Sequence, residues 1–121
     1  MASLILDPDA LSVRPTRAEK VAGLLGDVDV PWSAIASVTV EDDGLRATRG
    51  LRAPGLALPG RRKIGTWRGR GHRALVIVRA GEPALRIGLT GQNHDELLVS
   101  HPDARELAVE LSRRAGVAAS A

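Results

Sequence analysis

The chain has 121 residues, which is the usual size of one domain and is enough to bury a single hydrophobic core. It contains no Cys, two Trp and no Phe or Tyr, so disulfide frameworks and Cys-ligated metal sites are excluded and aliphatic side chains must fill the core. No apolar run reaches transmembrane length and the N-terminus lacks a basic secretion segment, so we expect a cytoplasmic protein without a transmembrane segment. We expect one domain over residues 1–116 and a flexible tail over 117–121.

The chain begins with a predicted hairpin and a short helix. Residues 3–6 and 10–14 have the pattern of two strands joined by an Asp-Pro-Asp turn. Thr16 and Glu19 fit a capping box, and the apolar residues after them recur at helical spacing. This pattern predicts a helix at about residues 17–25.

The next segments are extended and lead into a Gly- and Pro-rich stretch. Residues 28–32 are extended, and residues 35–41 alternate as a strand with Ala36, Val38 and Val40 on one face. Residues 49–67 contain four Gly and two Pro, which removes amide donors and permits unusual backbone angles. We therefore expect a wide loop here that leads into a strand near Ile64.

Four further strand segments follow the Gly- and Pro-rich stretch. Residues 63–68 and 74–78 predict two strands around a hairpin tip at 69–72, and the unbroken apolar run 74–78 indicates burial on both faces. Residues 85–89 alternate as a half-buried strand, and residues 97–100 form the last predicted strand. The tip matches a dinucleotide-binding pattern, but a strand follows it instead of the helix that the pattern requires.

A C-terminal helix is the clearest prediction. Ser100 and Asp103 both suit its N-terminal cap, Pro102 suits its first turn, and Gly116 ends it. Arg113 and Arg114 lie in the last turn, where cations are favoured. One apolar stripe runs along it, made of Ala104, Leu107, Ala108 and Leu111.

These elements predict a mainly β (α+β) fold. About seven short strands, one short inserted helix and one C-terminal helix give no β-α-β alternation, so a parallel sheet is disfavoured. Strands joined by hairpins usually close or stack into a barrel or sandwich. An amphipathic terminal helix would then cap one end.

Several short segments together match the pattern of one known family. They are Val30-Pro31-Trp32 with Ile35 and Val38, residues 49–55, 58–60, 65–67 and 97–100, and Pro102-Asp103. On these segments the chain resembles an actinobacterial pleckstrin-homology-like family of unknown function. The resemblance implies a split barrel of about seven antiparallel strands capped by the C-terminal helix, and it implies no activity. The headgroup site of lipid-binding pleckstrin-homology domains does not carry over, because the first hairpin loop, Asp7-Pro8-Asp9, is short and acidic.

Cations are concentrated in the middle of the chain. Residues 44–81, called the basic segment below, contain no Asp or Glu. Its ten cations are Arg46, Arg49, Arg52, Arg61, Arg62, Lys63, Arg68, Arg70, Arg73 and Arg79. Of 17 basic and 14 acidic residues in the chain, seven basic and all fourteen acidic residues lie outside it. Either the fold pairs these charges internally, or a positive face is left for an anionic partner.

The basic segment supplies the candidate site. The residues predicted to bind an anion or a partner are Arg49, Arg52, Arg61, Arg62, Lys63, Trp67 and Arg68. The competing interpretation is that acids from the same chain neutralise them, namely Asp27, Asp29, Glu41, Asp42 and Asp43. Trp67 would stack on a base or lie at a lipid surface if it were exposed, but burial is favoured in a chain without Phe or Tyr.

These observations favour a non-catalytic binding or scaffold module that recognises a protein partner or an anionic lipid surface. We expect no catalytic residue, no metal ion and no cofactor, since no nucleophile–base grouping stands out. A nucleic-acid-binding protein acting through residues 46–79 is the alternative. The third hypothesis is a small enzyme or a metal protein that uses His94 or His101.

Overall fold

The computed structural model describes residues 3–17, 26–42, 51–58, 62–69, 72–79, 81–117 and 119–120. These residues form ten strands, one 3₁₀ helix and one α-helix. In chain order they are β1 (Ser3–Leu6), β2 (Ala10–Arg14), β3 (Val28–Pro31), the 3₁₀ helix (Trp32–Ala34), β4 (Ile35–Glu41), β5 (Leu51–Leu58), β6 (Arg62–Gly69), β7 (His72–Arg79), β8 (Ala84–Leu89), β9 (Glu96–Ser100), α1 (Ala104–Ala115) and β10 (Ala119–Ser120). The predicted helix at about residues 17–25 lies almost wholly outside the described residues.

The first three strands form a small antiparallel sheet in the order β1-β2-β3. The predicted hairpin of β1 and β2 is confirmed, and Leu11, Ser12 and Val13 of its second strand are all buried. The buried Ser12 hydroxyl is satisfied because it donates to the Asp29 carboxylate on β3. The Trp32 indole N–H donates to the Asp7 carbonyl at 2.9 Å, so the predicted turn is tied to the 3₁₀ helix.

The other seven strands form one sheet in the order β10-β4-β8-β9-β7-β6-β5. Strands β5, β6 and β7 are an antiparallel meander at one end of it. Strand β9 returns from β8 and lies parallel to β7, with Val76 opposite Leu98. The prediction of purely antiparallel pairing is therefore wrong at β7–β9 and also at β10–β4. The described strands form two sheets and close no barrel.

Strand β5 replaces most of the predicted wide loop. Residues 51–58 pair with β6, and the register shifts between Arg52 and Gly55, where Pro54 lies. Proline lacks the N–H that a ladder needs, so it is tolerated in a strand at an edge or at a bulge. Pro54 meets both conditions, because β5 is the last strand of the sheet in the described chain and the register shift is at this position.

Both faces of the long sheet are buried at its centre. All five residues from Ala74 to Val78 are at most 2 % exposed, which confirms the predicted doubly covered strand. Their odd-numbered members join the main core with β8, β9 and α1. Their even-numbered members form a second cluster with Trp67, Ala84 and Leu98.

Helix α1 spans Ala104–Ala115, as predicted, and ends at Gly116 in the left-handed conformation (φ 72°). Ala104, Ala108 and Leu111 are buried in the main core. The tail was expected to be flexible. Residues Ala119–Ser120 pair with β4 in parallel, and Val117 packs against the core.

The predicted face of β4 is correct in part. Val38 and Val40 are buried, but Ala36 is exposed, because the register with β8 shifts between Ile35 and Ser37. A bulge moves the alternation by one residue, so the buried row starts from Ile35. No helix in the described part of the chain is long and apolar enough to cross a membrane.

Candidate functional site

The basic segment builds the meander of β5, β6 and β7. In the β6–β7 ladder Arg62 is opposite Arg79, and Arg68 is opposite Arg73. Like charges directly opposite each other on two strands are destabilising. The register therefore places an arginine pair at each end of the hairpin, and either pair would be stabilised by a bound anion.

The predicted site residues do not all come together. Arg49 and Arg61 lie outside the described residues. Arg62 and Lys63 begin β6, whereas Arg68 is near its other end, roughly 20 Å away at the usual rise of a strand. Arg52 is opposite Trp67 in the ladder. The backbone thus distributes these cations over the two ends of the meander.

Trp67 is buried, as the sequence favoured. Only 5 % of the residue is exposed, and it packs in the second cluster with Val76 and Leu98. Its contribution is to packing, because a ring in this position has no free face for a nucleic-acid base.

The competing interpretation named five acids that would neutralise the basic segment. Four of them are described, and each bonds to an arginine or a serine outside that segment. Asp27 pairs with Arg14 at 3.2 Å, and Asp42 pairs with Arg105 at 2.8 Å. Glu41 pairs with Arg86 at 2.9 Å. Asp29 accepts a hydrogen bond from the Ser12 hydroxyl. Asp43 lies outside the described residues. These four carboxylates therefore each have a partner from outside the basic segment.

Two arginines on β7 have guanidinium groups that pair with no acid of the described chain. Among the described residues, no side chain bonds or pairs with the guanidinium of Arg73 or Arg79. Both residues are half-buried. The backbone N–H of Arg79 donates to the Ser100 hydroxyl at 3.1 Å, and that of Arg73 donates to Asp95 Oδ2 at 2.8 Å. Guanidinium groups bind oxyanions through two parallel N–H donors, so these positions are suited to an anionic ligand.

A buried ionic cluster crosses three strands of the same sheet. Arg86 on β8 donates to Glu41 on β4 at 2.9 Å and to Glu96 on β9 at 2.6 Å. The side chains of Arg86 and Glu96 are 12 % and 11 % exposed. Burial alone would lower the pKa of Arg86, but the hydrogen bonds to Glu96 and Glu41 raise it above its ordinary value. His72 Nε2 is 3.9 Å from the other Glu96 oxygen.

Sequence reasoning missed this ionic cluster. Arg86 alternates with Leu85 and Ile87, a pattern that normally places the charged residue in solvent. The available signal was one cation on β8, an acid at the end of the predicted strand 35–41, and Glu96 just before the predicted strand 97–100. Using it required knowing that β4 and β9 flank β8.

A polar groove of about 290 Å³ lies between the start of β3 and the β8–β9 turn. Its lining residues are Gly26, Asp27, Val28, Asp29, Leu89, Gln92, Asn93 and His94. His94 precedes β9 and His101 follows it, where His101 Nδ1 accepts the Asp103 N–H at 3.0 Å. The two histidines are thus at opposite ends of β9. Within the described ranges, no three His, Asp or Glu side chains are grouped to hold a metal ion.

Comparison of this chain with protein families, with curated proteins and with solved structures gives no match.

Proposed function

We propose that this chain is a non-catalytic binding module that recognises an anionic surface through the meander of β5, β6 and β7. The observation that carries the proposal is the register of β6 and β7, which sets Arg62 opposite Arg79 and Arg68 opposite Arg73. If the pairs had no function, replacing one arginine of each pair by a neutral residue would make the fold more stable. An anionic partner removes the repulsion, so the pairs are better explained by binding than by folding.

Two further features support an anionic surface over a purely structural role. The segment contains ten cations and no acid, and the acids Glu41 and Asp42 pair with arginines outside it. Cations near a surface attract anionic lipid, each contributing about 1 kcal/mol, and the meander carries an arginine pair at each end. The same cations would also attract an acidic protein surface. Membership of the pleckstrin-homology-like family is likewise a proposal, supported by the matching segments and by the β-rich architecture with one C-terminal helix.

The nucleic-acid alternative has less support. Single-stranded nucleic acid is usually held by aromatic side chains that stack on bases. Trp67 is buried and Trp32 is partly buried against the core. A nucleic-acid complex would therefore depend on phosphate contacts, and a gel shift at low salt would reveal it.

Flotation with lipid vesicles tests the proposal. We expect the protein to float with phosphatidylserine-containing vesicles and not with phosphatidylcholine vesicles, and we expect salt to weaken this binding because exposed charges are screened. The double variant Arg62→Gln with Arg79→Gln should reduce the bound fraction. The matched control is Arg105→Gln with Arg14→Gln, which removes two cations outside the basic segment.

Equal loss of binding in both double variants would mean that net charge alone attracts the protein. No flotation with anionic vesicles at low salt would rule out the lipid-surface proposal. A salt-sensitive gel shift without flotation would favour the nucleic-acid alternative instead.

A further inference from the structure

The polar groove between the start of β3 and the β8–β9 turn is rich in hydrogen-bond acceptors. The carboxylates of Asp27 and Asp29, which only accept hydrogen bonds, line one side of it. Gln92 and Asn93, the single Gln and the single Asn of the chain, add two amide carbonyl groups on the other side. No Lys or Arg of the described chain lines the groove. A ligand that matches these acceptors must therefore supply N–H donors and positive charge.

Asp29 is the acid of this groove whose charge is unmatched in the described part of the chain. Its carboxylate accepts from the buried Ser12 hydroxyl, which holds it in place but does not neutralise it. No described cation pairs with Asp29, whereas Asp27 pairs with Arg14 at 3.2 Å. Asp29 is exposed, so a ligand is able to reach it from solvent. Its position is suited to a cation, because hydrogen bonds to an ionised group are stronger than those between neutral groups.

Hydrogen bonds fix both walls of the groove. On the side of the β8–β9 turn, the Leu89 N–H donates to the Asp95 carbonyl at 2.8 Å, and the Thr90 N–H donates to the Ala34 carbonyl at 2.9 Å. Gly91 takes the left-handed conformation (φ 68°) within this turn. On the other side, β3 is paired along its length with β2. A site held in this way loses little conformational entropy when a ligand binds.

The size of the groove and its side chains favour a small organic cation over a metal ion. Its volume of about 290 Å³ is at the lower end of the range of about 300–1,000 Å³ that is usual for small-molecule sites. Asp27, Asp29 and His94 all line it, but no three His, Asp or Glu side chains of the described residues are grouped to hold a metal ion. An ammonium group is a compact charge with three rotatable donors, so it is able to bond several separate acceptors at once.

We propose that the polar groove binds a ligand through its ammonium group, which Asp29 and the amide carbonyls of Gln92 and Asn93 accept. This inference goes beyond the proposed function, because the groove is built from β3 and the β8–β9 turn and not from the basic segment. The competing interpretation of the sequence assigned Asp29 to neutralising the basic segment, and the groove gives this carboxylate a different partner.

The test is a titration with putrescine, a small diamine, followed through the side-chain NH₂ signals of Gln92 and Asn93 in a ¹H–¹⁵N NMR spectrum. These two residues are the only carboxamide side chains of the chain, so their signals report on the groove directly. Tetramethylammonium chloride at matched ionic strength is the reference, because its cation carries the charge without an N–H donor. We expect a saturable shift of both signals that putrescine causes and the reference does not.

The Asp29→Asn variant removes the charge and keeps an oxygen that is able to accept from Ser12. It should weaken putrescine binding by about tenfold, which is the loss of one hydrogen bond to a charged group. The matched control is Asp42→Asn, which removes the same charge from an exposed pair with Arg105. The control should bind putrescine as the wild type does.

The Asn93→Ala variant, followed through the remaining Gln92 signal, is a second test that leaves Asp29 intact. It should also weaken putrescine binding. The absence of a putrescine-specific shift in the wild type, or an unchanged affinity in both Asp29→Asn and Asn93→Ala, would overturn the inference. Equal weakening by Asp29→Asn and Asp42→Asn would overturn it as well, because net charge alone would then attract the diamine.

The compound Nα-acetyl-lysine amide presents the same ammonium group on a protein side chain. Tighter binding of this compound than of putrescine would mean that the groove takes a lysine of a partner, and the reverse order would mean that it takes a free amine. The double variant Arg62→Gln with Arg79→Gln should reduce flotation and leave the putrescine response unchanged. A putrescine response without any flotation would support the groove and reject the proposed surface binding, whereas flotation without a putrescine response would do the reverse.

Discussion

Arg86 is the residue whose loss should damage the fold most among the described charged residues. It satisfies Glu41 and Glu96 together, and the Glu96 side chain is only 11 % exposed. Removing one partner of a buried pair leaves an uncompensated charge, which typically costs 3–5 kcal/mol. We expect Arg86→Met to lower the free energy of unfolding by about 3 kcal/mol, since Glu41 keeps 31 % exposure and is partly hydrated. Urea unfolding measures this change.

The exposed pair of Arg105 and Asp42 provides the control for Arg86. Their side chains are 65 % and 88 % exposed, and such pairs contribute about 0–1 kcal/mol. Arg105→Met should therefore have little effect. If the two variants lose equal stability, the cluster on β4, β8 and β9 is solvated in solution and the burial argument is wrong.

Ser112 and Ser100 form a second contrast between single residues. The Ser112 hydroxyl is buried in α1 with no partner in the described chain, whereas Ser100 Oγ accepts the Arg79 N–H at 3.1 Å. Ser112→Ala removes an unsatisfied group and should leave stability unchanged or slightly higher. Ser100→Ala leaves a backbone donor unpaired and should cost about 1–3 kcal/mol in urea unfolding. A larger loss for Ser112→Ala than for Ser100→Ala would contradict the hydrogen-bond assignment.

In the last turns of the C-terminal helix, one carboxylate bonds to two arginines, and this contact depends on pH. Glu110 accepts hydrogen bonds from Arg113 and Arg114, which lower its pKa from 4.5 to about 2. A carboxylate with a lowered pKa stabilises the fold above its unfolded-state pKa, and this contribution is lost as the pH falls through the folded-state value. We expect Glu110→Gln to be less stable than the wild type above about pH 4.5 and the difference to vanish towards about pH 2.

Arg114 also joins this helix to the first sheet. Its guanidinium donates to the Leu6 carbonyl at 3.2 Å and lies 5.7 Å from the centre of the Trp32 ring. Arg114→Gln should therefore destabilise the fold more than Arg113→Gln, whose arginine bonds only Glu110 among the described residues. Thermal unfolding compares the two variants, and equal melting temperatures would reject the contribution of Arg114 to the packing of α1 on β1.

Local patterns predicted most strands and α1, because period and turn chemistry are properties of neighbouring residues. They failed at β5, where Pro54 and Gly55 indicate a loop unless the strand is known to be at an edge with a bulge. The parallel pairing of β7 with β9 depends on which strands meet after the chain has returned, and no local signal encodes it. The arginine pairs share this limit, because they follow from the β6–β7 register and not from composition.

At the scale of the whole molecule, the two halves of the long sheet differ in how their charged side chains are arranged. At β4, β8 and β9 the acids and Arg86 are paired and partly buried. Between β6 and β7 the backbone register places arginines directly opposite arginines. The first arrangement stabilises the fold, and the second opposes it, so stability and binding should respond in opposite directions to changes in the meander.

Arg79→Gln tests this opposition directly. Removing one cation opposite Arg62 should raise the free energy of unfolding by about 0.2–1 kcal/mol and reduce flotation with anionic vesicles. Urea unfolding and flotation are measured on the same preparation. The control, Arg14→Gln, breaks the pair with Asp27 and should lower stability slightly without changing flotation. If Arg79→Gln instead loses stability, an acid of the same chain already neutralises this arginine, and the meander is a structural element without an anionic partner.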